Sequence, residues 1–262
     1  MEKIALITGA SKGIGKALAE VFARNGYSLL LVARSTAELT QIQTDLKTKY
    51  QCESKILSVD LSQPESVDTI MNTFKDEISR LDVLVNNAGF GAAKKFTDMT
   101  AEEVSGMVEV NIAALTRLTY KVLPFMTARK SGKILNLAST AAFAPGPYMA
   151  VYYASKAYVL SFSQALHEEY RKDGVTVSAL CPGLTTTEFH ARAGTDKTYL
   201  FSGIMLAMTA EKVAEIGYNG LMKQRRVIIS GIMNKMAIFM MWLTPSFLLV
   251  KATALLDRPK NS

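Results

Sequence analysis

Short apolar runs alternate with longer helical segments along almost the whole chain. Seven runs that are rich in leucine and β-branched residues cover residues 3–8, 28–33, 54–59, 81–86, 132–138, 175–181 and 226–230. Near-continuous apolar strands joined by helices are typical of a parallel sheet that is buried on both faces. Because the crossover connections of parallel strands are right-handed, the helices should cover both faces of that sheet. The pattern therefore predicts an α/β fold with a doubly wound parallel sheet.

Helix signals agree with this order and favour one domain. Thr100, followed three residues later by Glu103, spells a capping box, and we expect long helices at about 100–127 and 150–172. Neither a low-complexity linker nor a repeat interrupts the sequence before about residue 220. Because α/β folds of about 250 residues often have a single core, we expect one domain over 1–262.

The composition excludes several classes of protein. Hydrophobic residues make up 49% of the chain and charged residues 20%, which is typical of a globular protein. Cys52 and Cys181 lack a CxxC spacing, and the first apolar run has four residues where a signal peptide needs about 7 to 15, so we expect a cytoplasmic protein. No His/Cys cluster has the spacing of a metal site, so no metal is expected.

The net charge of +7 lies almost entirely near the end of the chain. Up to residue 220 there are 23 Lys and Arg against 22 Asp and Glu, whereas after it there are seven basic residues and the single Asp257. Nucleic-acid binders usually carry a basic stripe on a recognition element, which the balanced first 220 residues do not offer. We therefore expect no nucleic acid as a partner.

A glycine-rich turn follows the first predicted strand. The sequence ITGASKGIGKALAE at 7–20 places Gly9, Gly13 and Gly15 between that strand and an alanine-rich helix. A Cβ at such positions would block a tight turn and the close approach of a pyrophosphate to the helix N-terminus. Taken alone, such a glycine-rich turn is an ordinary turn about as often as it is a dinucleotide site. Its place between a strand and a helix indicates a dinucleotide site.

The end of the second strand bears on the choice of dinucleotide. An acidic residue about 20 positions after the glycines is typical of NAD binding, whereas arginine favours the 2′-phosphate of NADP. This chain has Ala33 and Arg34 there, Lys12 in the glycine turn and, as we expect, no carboxylate nearby. NADP is therefore the expected cofactor. The alternative interpretation of Arg34 is a solvent-exposed charge at the start of a helix.

Tyr152 and Lys156 form a candidate chemical pair in YYASK. They are four residues apart, so both side chains leave one face of a helix as neighbours. A phenol titrates near 10, and moving its pKa to about 7 requires roughly 4 kcal/mol of stabilisation of the phenolate. A nearby ammonium and a cationic nicotinamide would supply it in a dehydrated cleft. Alone, the two tyrosines would more often be packing aromatics.

Three further polar positions are candidates for the same site. NNAG at 86–89 ends a predicted central strand, where open sheets bind their ligands, although a plain turn explains the segment equally well. Ser139 follows the 132–138 strand, where a hydroxyl can hydrogen-bond an oxygen that develops charge. Asn111 lies among apolar residues within a predicted helix, where a buried amide is the more common interpretation.

Together these residues resemble a known family. TGASKGIG at 8–15, NNAG, Asn111, Ser139, YYASK and the CPG of 181–183, in this order and spacing, are similar to the short-chain dehydrogenase/reductase family in its single-domain form. The resemblance covers about residues 1–190. It implies a Rossmann-type sheet of seven parallel strands in the order 3-2-1-4-5-6-7.

The family resemblance also implies a set of site residues. Its catalytic tetrad falls on Asn111, Ser139, Tyr152 and Lys156, with adenine contacts near Asp60 and Leu61 and a nicotinamide carboxamide site around 182–187. The full set of expected NADP contacts, besides Tyr152 and Lys156, is Gly9, Ser11, Lys12, Gly13, Ile14, Gly15, Arg34, Asp60, Leu61, Asn87, Ala88, Gly89, Pro182, Gly183, Thr185 and Thr187.

The resemblance implies a mechanism and leaves three functions to compare. Tyr152 would act as acid or base and Ser139 would hold the substrate oxygen; Lys156 would bind the nicotinamide ribose and Asn111 would anchor a water. The leading function is an NADPH-dependent carbonyl reductase or alcohol dehydrogenase. The second is a reductase of 3-oxoacyl thioesters. The third is a non-catalytic NADP-binding regulator, for which a damaged tetrad would be expected; here the tetrad is intact.

The substrate side and the tail are less determined by the sequence. A substrate loop is expected at 184–208, and its apolar second half, with Phe90, Phe143, Tyr148 and Met149, suggests an apolar small-molecule substrate or simply a packed loop. Residues 231–262 form an apolar basic tail, expected to pack on the same domain. Its uncharged stretch at 236–250 has 15 residues, fewer than a membrane span needs. Peripheral membrane contact, a cover over the cleft and a subunit contact are alternatives. The family implies a homodimer or homotetramer.

Overall fold

Seven parallel strands form the main sheet in a computed structural model that describes residues 2–189, 193–195 and 207–258. In chain order the strands are β1 (Lys3–Thr8), β2 (Tyr27–Ala33), β3 (Ser54–Ser58), β4 (Val83–Asn86), β5 (Gly132–Leu137), β6 (Val175–Cys181), β7 (Thr185–Thr186), β8 (Met208–Thr209) and β9 (Val227–Ile229). The sheet order is β3-β2-β1-β4-β5-β6-β9, with every pair parallel. The predicted order is confirmed. Its seventh strand is the ninth in the described part of the chain, because β7 and β8 pair with each other in a separate small sheet.

Helices follow the strands as the sequence pattern predicts. They are α1 (Gly13–Arg24), α2 (Thr36–Tyr50), α3 (Ser66–Thr73), α4 (Lys75–Ile78), α5 (Ala101–Val108), α6 (Leu115–Ala128), α7 (Ala150–Tyr170), α8 (Ala210–Met222), α9 (Ile232–Leu243) and α10 (Ser246–Asp257). The predicted capping box is present, because Thr100 Oγ1 accepts from the backbone N–H of Glu103 while the Glu103 carboxylate accepts from that of Thr100. The helix expected at 100–127 differs in one respect: a π-helical segment, Glu109–Ala114, separates α5 from α6.

The core lies on both faces of the sheet. Leu29 and Leu31 of β2 pack with α1, α2 and α8 on one face, whereas Leu30 and Val32 pack with α3, α4 and α6 on the other. This division follows from the alternation of side chains along a strand. It explains why the strands are apolar at consecutive positions, and the doubly wound prediction is confirmed.

One edge of the sheet gathers the loops that carry the candidate residues. Because the strands are parallel, the segments that follow β1, β4, β5 and β6 all leave at the carboxyl edge. The tail follows β9 from the same edge, and its last helix is attached by the Thr253 hydroxyl, which donates to the Pro145 carbonyl at 2.7 Å. None of the helices in the described part of the chain is both long and apolar enough to cross a membrane.

Candidate active site

The glycine turn has the geometry of a phosphate cradle. Gly9 and Gly13 adopt positive φ angles of 64° and 53°, which side chains other than glycine rarely tolerate. A Cβ on Gly15 would lie 2.1 Å from the Gly9 carbonyl oxygen, and one on Gly13 would lie 3.1 Å from Thr187 Cγ2. Helix α1 begins at Gly13 with no acidic residue in its first turn, and the Lys12 side chain does not cap it. A helix start of this kind suits an anion.

Asn87 fixes the glycine turn to the end of β4. Its Nδ2 donates to the carbonyl oxygens of Thr8 and Gly9 at 3.0 and 3.1 Å, and Thr8 Oγ1 accepts from the backbone N–H groups of Asn87 and Ala88, both at 3.1 Å. These bonds give Asn87 a structural role in the turn, and the interpretation of NNAG as a ligand site stays a prediction. The NNAG segment therefore stabilises the conformation of the neighbouring glycine turn.

The two predicted NADP-selective cations lie in different surroundings. Arg34 is exposed at the carboxyl end of β2. Lys12 Nζ lies 2.9 Å from a Glu38 carboxylate oxygen and 2.8 Å from one of Glu188, and these hydrogen bonds, with Glu188 first, raise the pKa of Lys12. The expectation from the sequence that no carboxylate stands nearby is therefore wrong. Glu38 follows Arg34 by four residues, but Glu188 comes from the segment after β6 and is adjacent only in the fold.

The remaining predicted nucleotide contacts follow β3 and β6. Asp60 is half-buried, with its Oδ1 accepting from the Ser62 N–H at 3.0 Å, and Leu61 is buried. After β6, the Pro182 carbonyl accepts from the Thr140 N–H at 2.9 Å, and Thr185 Oγ1 donates to the Gly183 carbonyl at 3.0 Å. Ser11 and Ile14 lie half-buried in the glycine turn and at the start of α1.

Tyr152, Lys156 and Ser139 converge at the carboxyl edge. Lys156 is 4% exposed, and its Nζ donates to the Leu137 carbonyl at 2.8 Å and lies 5.7 Å from the centroid of the Tyr152 ring. Ser139 Oγ accepts from the Ala141 N–H at 3.1 Å, and the Ser139 and Tyr152 side chains are hydrogen-bonded. The predicted i,i+4 pair is therefore brought together with the strand-end hydroxyl.

Burial controls the protonation of this pair. Part of Tyr152 stays accessible, yet burial raises its pKa to about 12, and the hydrogen bond with Ser139 lowers it only in part. Burial lowers the pKa of Lys156 to about 8. The expected fall of the phenol pKa toward 7 is thus not produced by these side chains, because desolvation of the phenolate outweighs their stabilisation of it. Tyr152 keeps its proton at neutral pH, which is the form that can donate one.

Asn111 lies in the π-helical segment and is held by its amide. Its Oδ1 accepts from the Phe90 N–H at 3.0 Å, and its Nδ2 donates to the Phe90 carbonyl at 2.9 Å and to Ser155 Oγ at 3.0 Å. A Cβ on Gly89 would lie 3.0 Å from Asn111 Oδ1 and 3.3 Å from Lys156 Nζ, so the amide and the amine are close neighbours. Single-turn π segments often occur at functional sites. The sequence predicted the satisfied amide but not the π segment.

Apolar groups lie against the Tyr152 ring. The Phe189 ring lies 5.4 Å from the Tyr152 ring between centroids, and a Cβ on Gly91 would lie 3.0 Å from Tyr152 Cδ2. Met149 is buried, whereas Phe90, Phe143 and Tyr148 are half-buried. The apolar half of the expected 184–208 loop lies outside the described residues; its members are Tyr199, Leu200, Phe201, Ile204, Met205 and Leu206.

Two residues of the tail near this edge, Asn234 and Asp257, are not indicated by the sequence. A Cβ on Gly183 would lie 2.5 Å from Asn234 Nδ2, so the first turn of α9 closes on the segment after β6. The Tyr153 hydroxyl hydrogen-bonds the Asp257 carboxylate, and the Tyr153 ring lies 6.2 Å from that of Tyr152. Both contacts join the tail to the site over long sequence separations, for which the sequence offers no local signal.

Comparisons with known proteins agree with this geometry. The family model of short chain dehydrogenases matches residues 3–198. An uncharacterized oxidoreductase of Staphylococcus epidermidis is 35% identical over 186 residues, which are 71% of this chain and 79% of that protein. A very-long-chain 3-oxoacyl-CoA reductase of Mus musculus is 35% identical over 190 residues, 70% of this chain and 60% of that protein.

A solved structure shares the fold over nearly its whole length. The short-chain dehydrogenase from Sphingobium yanoikuyae, determined in complex with NADPH, is 31% identical to this chain and superposes with a TM-score of 0.81. The similarity covers 93% of this chain and 96% of that one. It therefore extends beyond residue 198, where the family model ends, into the region that contains β9 and the tail.

Proposed function

This chain belongs to the short-chain dehydrogenase family, and from that premise we propose that it is an NADPH-dependent oxidoreductase that reduces the carbonyl group of an apolar small molecule. The reverse reaction oxidises the corresponding secondary alcohol. The observation that carries the proposal is the convergence of a protonated Tyr152 with Ser139 and Lys156 at the same sheet edge as the glycine turn.

The residues around the glycine turn fit a dinucleotide phosphate. The start of α1 has no side-chain cap, so its backbone N–H groups suit a pyrophosphate. The shape of the turn depends on its glycines, because a Cβ on Gly15 would lie 2.1 Å from the Gly9 carbonyl oxygen. Arg34 and Lys12 would bind the 2′-phosphate, and Asp60 and Leu61 would border the adenine. The NADPH found with the Sphingobium yanoikuyae relative supports the choice of cofactor. To bind a phosphate, Lys12 would have to break its ion pairs with Glu38 and Glu188.

When bound, NADPH would supply the hydride. The side chains of the protein would bind the substrate oxygen and donate the proton. Ser139 Oγ would donate a hydrogen bond to the carbonyl oxygen and polarise the C=O bond. As the carbonyl carbon accepts the hydride, Tyr152 gives its hydroxyl proton to that oxygen, so an alcohol and a phenolate result. The Lys156 ammonium would stabilise the phenolate, and it would hold the nicotinamide ribose through its hydroxyls. Asn111 would position the water through which Tyr152 regains a proton.

The groups around Tyr152 support an apolar substrate. Phe189 lies against its ring, and a Cβ on Gly91 would lie 3.0 Å from Tyr152 Cδ2 and 3.3 Å from Met149 Cε. Phe90 and Phe143, in the segments that follow β4 and β5, are half-buried. An apolar wall with a few polar groups is typical of small-molecule sites. One observation favours a second candidate, a 3-oxoacyl thioester as substrate: the mouse relative is a very-long-chain 3-oxoacyl-CoA reductase. A non-catalytic role is less well supported, because all four tetrad residues are present.

A turnover screen tests this function. Purified protein would be assayed by the loss of NADPH absorbance over ketones, aldehydes, quinones and 3-oxoacyl thioesters, each also with NADH. We expect turnover of at least one apolar ketone or 3-oxoacyl thioester with NADPH. Tight NADPH binding without turnover of any class would favour the regulator, and absence of NADPH binding would contradict the cofactor proposal.

A further inference from the structure

The tail presents an unusually apolar surface. The outward side chains of α9 and α10, called here the tail surface, are Ile232, Met233, Met236, Phe239, Met240, Trp242, Leu243, Phe247, Leu248, Val250, Leu255 and Leu256, all of them exposed. No residue of α9 is buried. Soluble monomers rarely expose so many large apolar side chains together, and such patches mark interaction sites.

The inner side of the tail attaches it to the rest of the domain, mainly through polar side chains. On α10, Thr253 and Asp257 are buried, and they bond to Pro145 and Tyr153 respectively. On α9, Asn234 packs against Gly183. These contacts use polar side chains, so the apolar residues are left for the outer face.

Basic residues border the tail surface. Lys223, Arg225 and Lys235 line one cleft between α8, β9 and the start of α9, together with Asn219 and Ile232. Lys251 is exposed on α10. Among described residues 221–258, the only acidic side chain is that of Asp257, which is 1% exposed. An apolar face bordered by cations and lacking exposed carboxylates complements an apolar phase with an anionic boundary.

A second copy of this chain is a poorer match for the same face. Symmetric pairing places one patch against itself, so the lysines and arginine of both copies would be gathered in one interface. No exposed carboxylate among described residues 221–258 would offset their charge. An anionic bilayer offers both an apolar interior and negative headgroups. Trp242, 80% exposed, is of the residue type that is enriched at the boundary between lipid and water.

We propose that the tail surface binds the surface of an anionic lipid membrane, with α9 and α10 lying in the interface and the cleft of Lys223, Arg225 and Lys235 receiving headgroup phosphates. The tail leaves from the carboxyl edge, and α9 packs on the Thr140–Phe143 turn that follows Ser139. Binding would therefore bring the edge that holds Tyr152 close to the membrane. Membrane binding by the tail surface does not depend on the proposed reaction.

The single tryptophan of the chain makes the test direct. The purified full chain would be mixed with vesicles of phosphatidylcholine alone, or of phosphatidylcholine containing phosphatidylglycerol, and Trp242 emission and co-sedimentation would be measured. We expect a blue shift and co-sedimentation with the anionic vesicles only, both weakened by high salt because the attraction is screened. Equal binding to both vesicle types, or none, would overturn the proposal.

Matched variants separate the tail from the rest of the surface. Lys223→Glu with Lys235→Glu should weaken binding by at least roughly tenfold, because each basic residue near an anionic surface contributes to the affinity. Phe239→Glu with Leu255→Glu should abolish it. The control, Lys49→Glu with Lys172→Glu, makes the same charge change on exposed residues at the opposite, amino edge of the sheet and should bind as wild type.

Two more measurements make every outcome decisive. Circular dichroism and the thermal midpoint show whether each variant is folded, and a misfolded double variant is replaced by Phe239→Ser alone. Size-exclusion chromatography with light scattering reports self-association. An oligomer that the tail variants dissociate, without any vesicle effect on Trp242, would assign the surface to a second copy and overturn membrane binding. Equal loss in the control pair would also overturn it.

Discussion

Lys156 Nζ lies 5.7 Å from the centroid of the Tyr152 ring, one turn further along α7. Both groups are shifted by burial, in opposite directions: the phenol pKa rises to about 12 and the ammonium pKa falls to about 8. Each shift favours the neutral form of its group. At neutral pH Tyr152 therefore keeps its proton, and Lys156, titrating near 8, is still largely charged.

The pKa of Lys156 predicts an alkaline limit to activity. Because this pKa is lowered from 10.5 to about 8, the ammonium is present below about pH 8 and is lost as the pH rises through that value, while an exposed lysine would stay charged. We expect kcat/KM for carbonyl reduction to decline from about pH 8 upward, with Lys156→Arg, whose charge persists, moving the decline to higher pH. A profile that stays flat to pH 10 in the wild type would contradict this role for the ammonium.

Arg34 and Lys12 should determine the preference for NADPH. Loss of either cation is expected to weaken NADPH binding by roughly tenfold while leaving NADH nearly unchanged, since only NADPH carries the 2′-phosphate. Dissociation constants from nicotinamide fluorescence would be compared for Arg34→Ala, Lys12→Ala and the control Lys49→Ala, which alters an exposed lysine of α2. Equal weakening of both dinucleotides would place these cations away from the 2′ position.

Gly15 should tolerate no side chain. An alanine Cβ would lie 2.1 Å from the Gly9 carbonyl oxygen and 2.4 Å from Asn87 Nδ2, so the turn would have to open. We expect Gly15→Ala to lose the binding of both NADPH and NADH and to lower the thermal midpoint. Gly26→Asn is the control, because a Cβ on Gly26 would have no neighbour within 4 Å among the described residues and its φ of 77° is one that asparagine accepts. Unchanged binding in Gly15→Ala would refute the cradle.

Asp257 should make the stability of the fold depend on pH. Burial raises its pKa from 3.8 to about 6, so the folded chain holds this proton more tightly than the unfolded chain. Stability is then lost as the pH rises from about 4 to about 6, by up to about 3 kcal/mol for a fully buried group. Asp257→Asn, which cannot ionise, should flatten the dependence of the unfolding free energy on pH between these values. An unchanged slope in the variant would show that Asp257 does not cause it.

Local patterns explain what the sequence predicted well. The apolar runs marked all seven strands of the main sheet. The signal is clearest in the five inner strands, because a strand buried on both faces must be apolar throughout its own length. The spacing of Tyr152 and Lys156 predicted their proximity, because neighbours on a helix face are set by the helical repeat alone. The capping box at Thr100 is equally local and is present.

Long-range packing explains what the sequence did not predict. Glu188 reaches Lys12 across 176 positions, and Asp257 meets Tyr153 only because α10 folds back over the loop after β5. The phenol pKa depends on how much protein surrounds the ring, which spacing does not report. Spacing therefore did not predict that burial of the ring raises this pKa. The π-helical segment around Asn111 likewise has no recognisable signal in the local sequence.

Tyr152→Phe is the measurement that tests the central claim most directly. It removes one hydroxyl, so NADPH affinity should stay close to that of the wild type, while turnover of the best substrate from the screen should fall at least about a hundredfold through loss of the proton donor. Tyr153→Phe, which removes the neighbouring hydroxyl that bonds Asp257, should retain most of the turnover. A Tyr152→Phe enzyme that binds NADPH and turns over near the wild-type rate would contradict the assignment of Tyr152 as the acid.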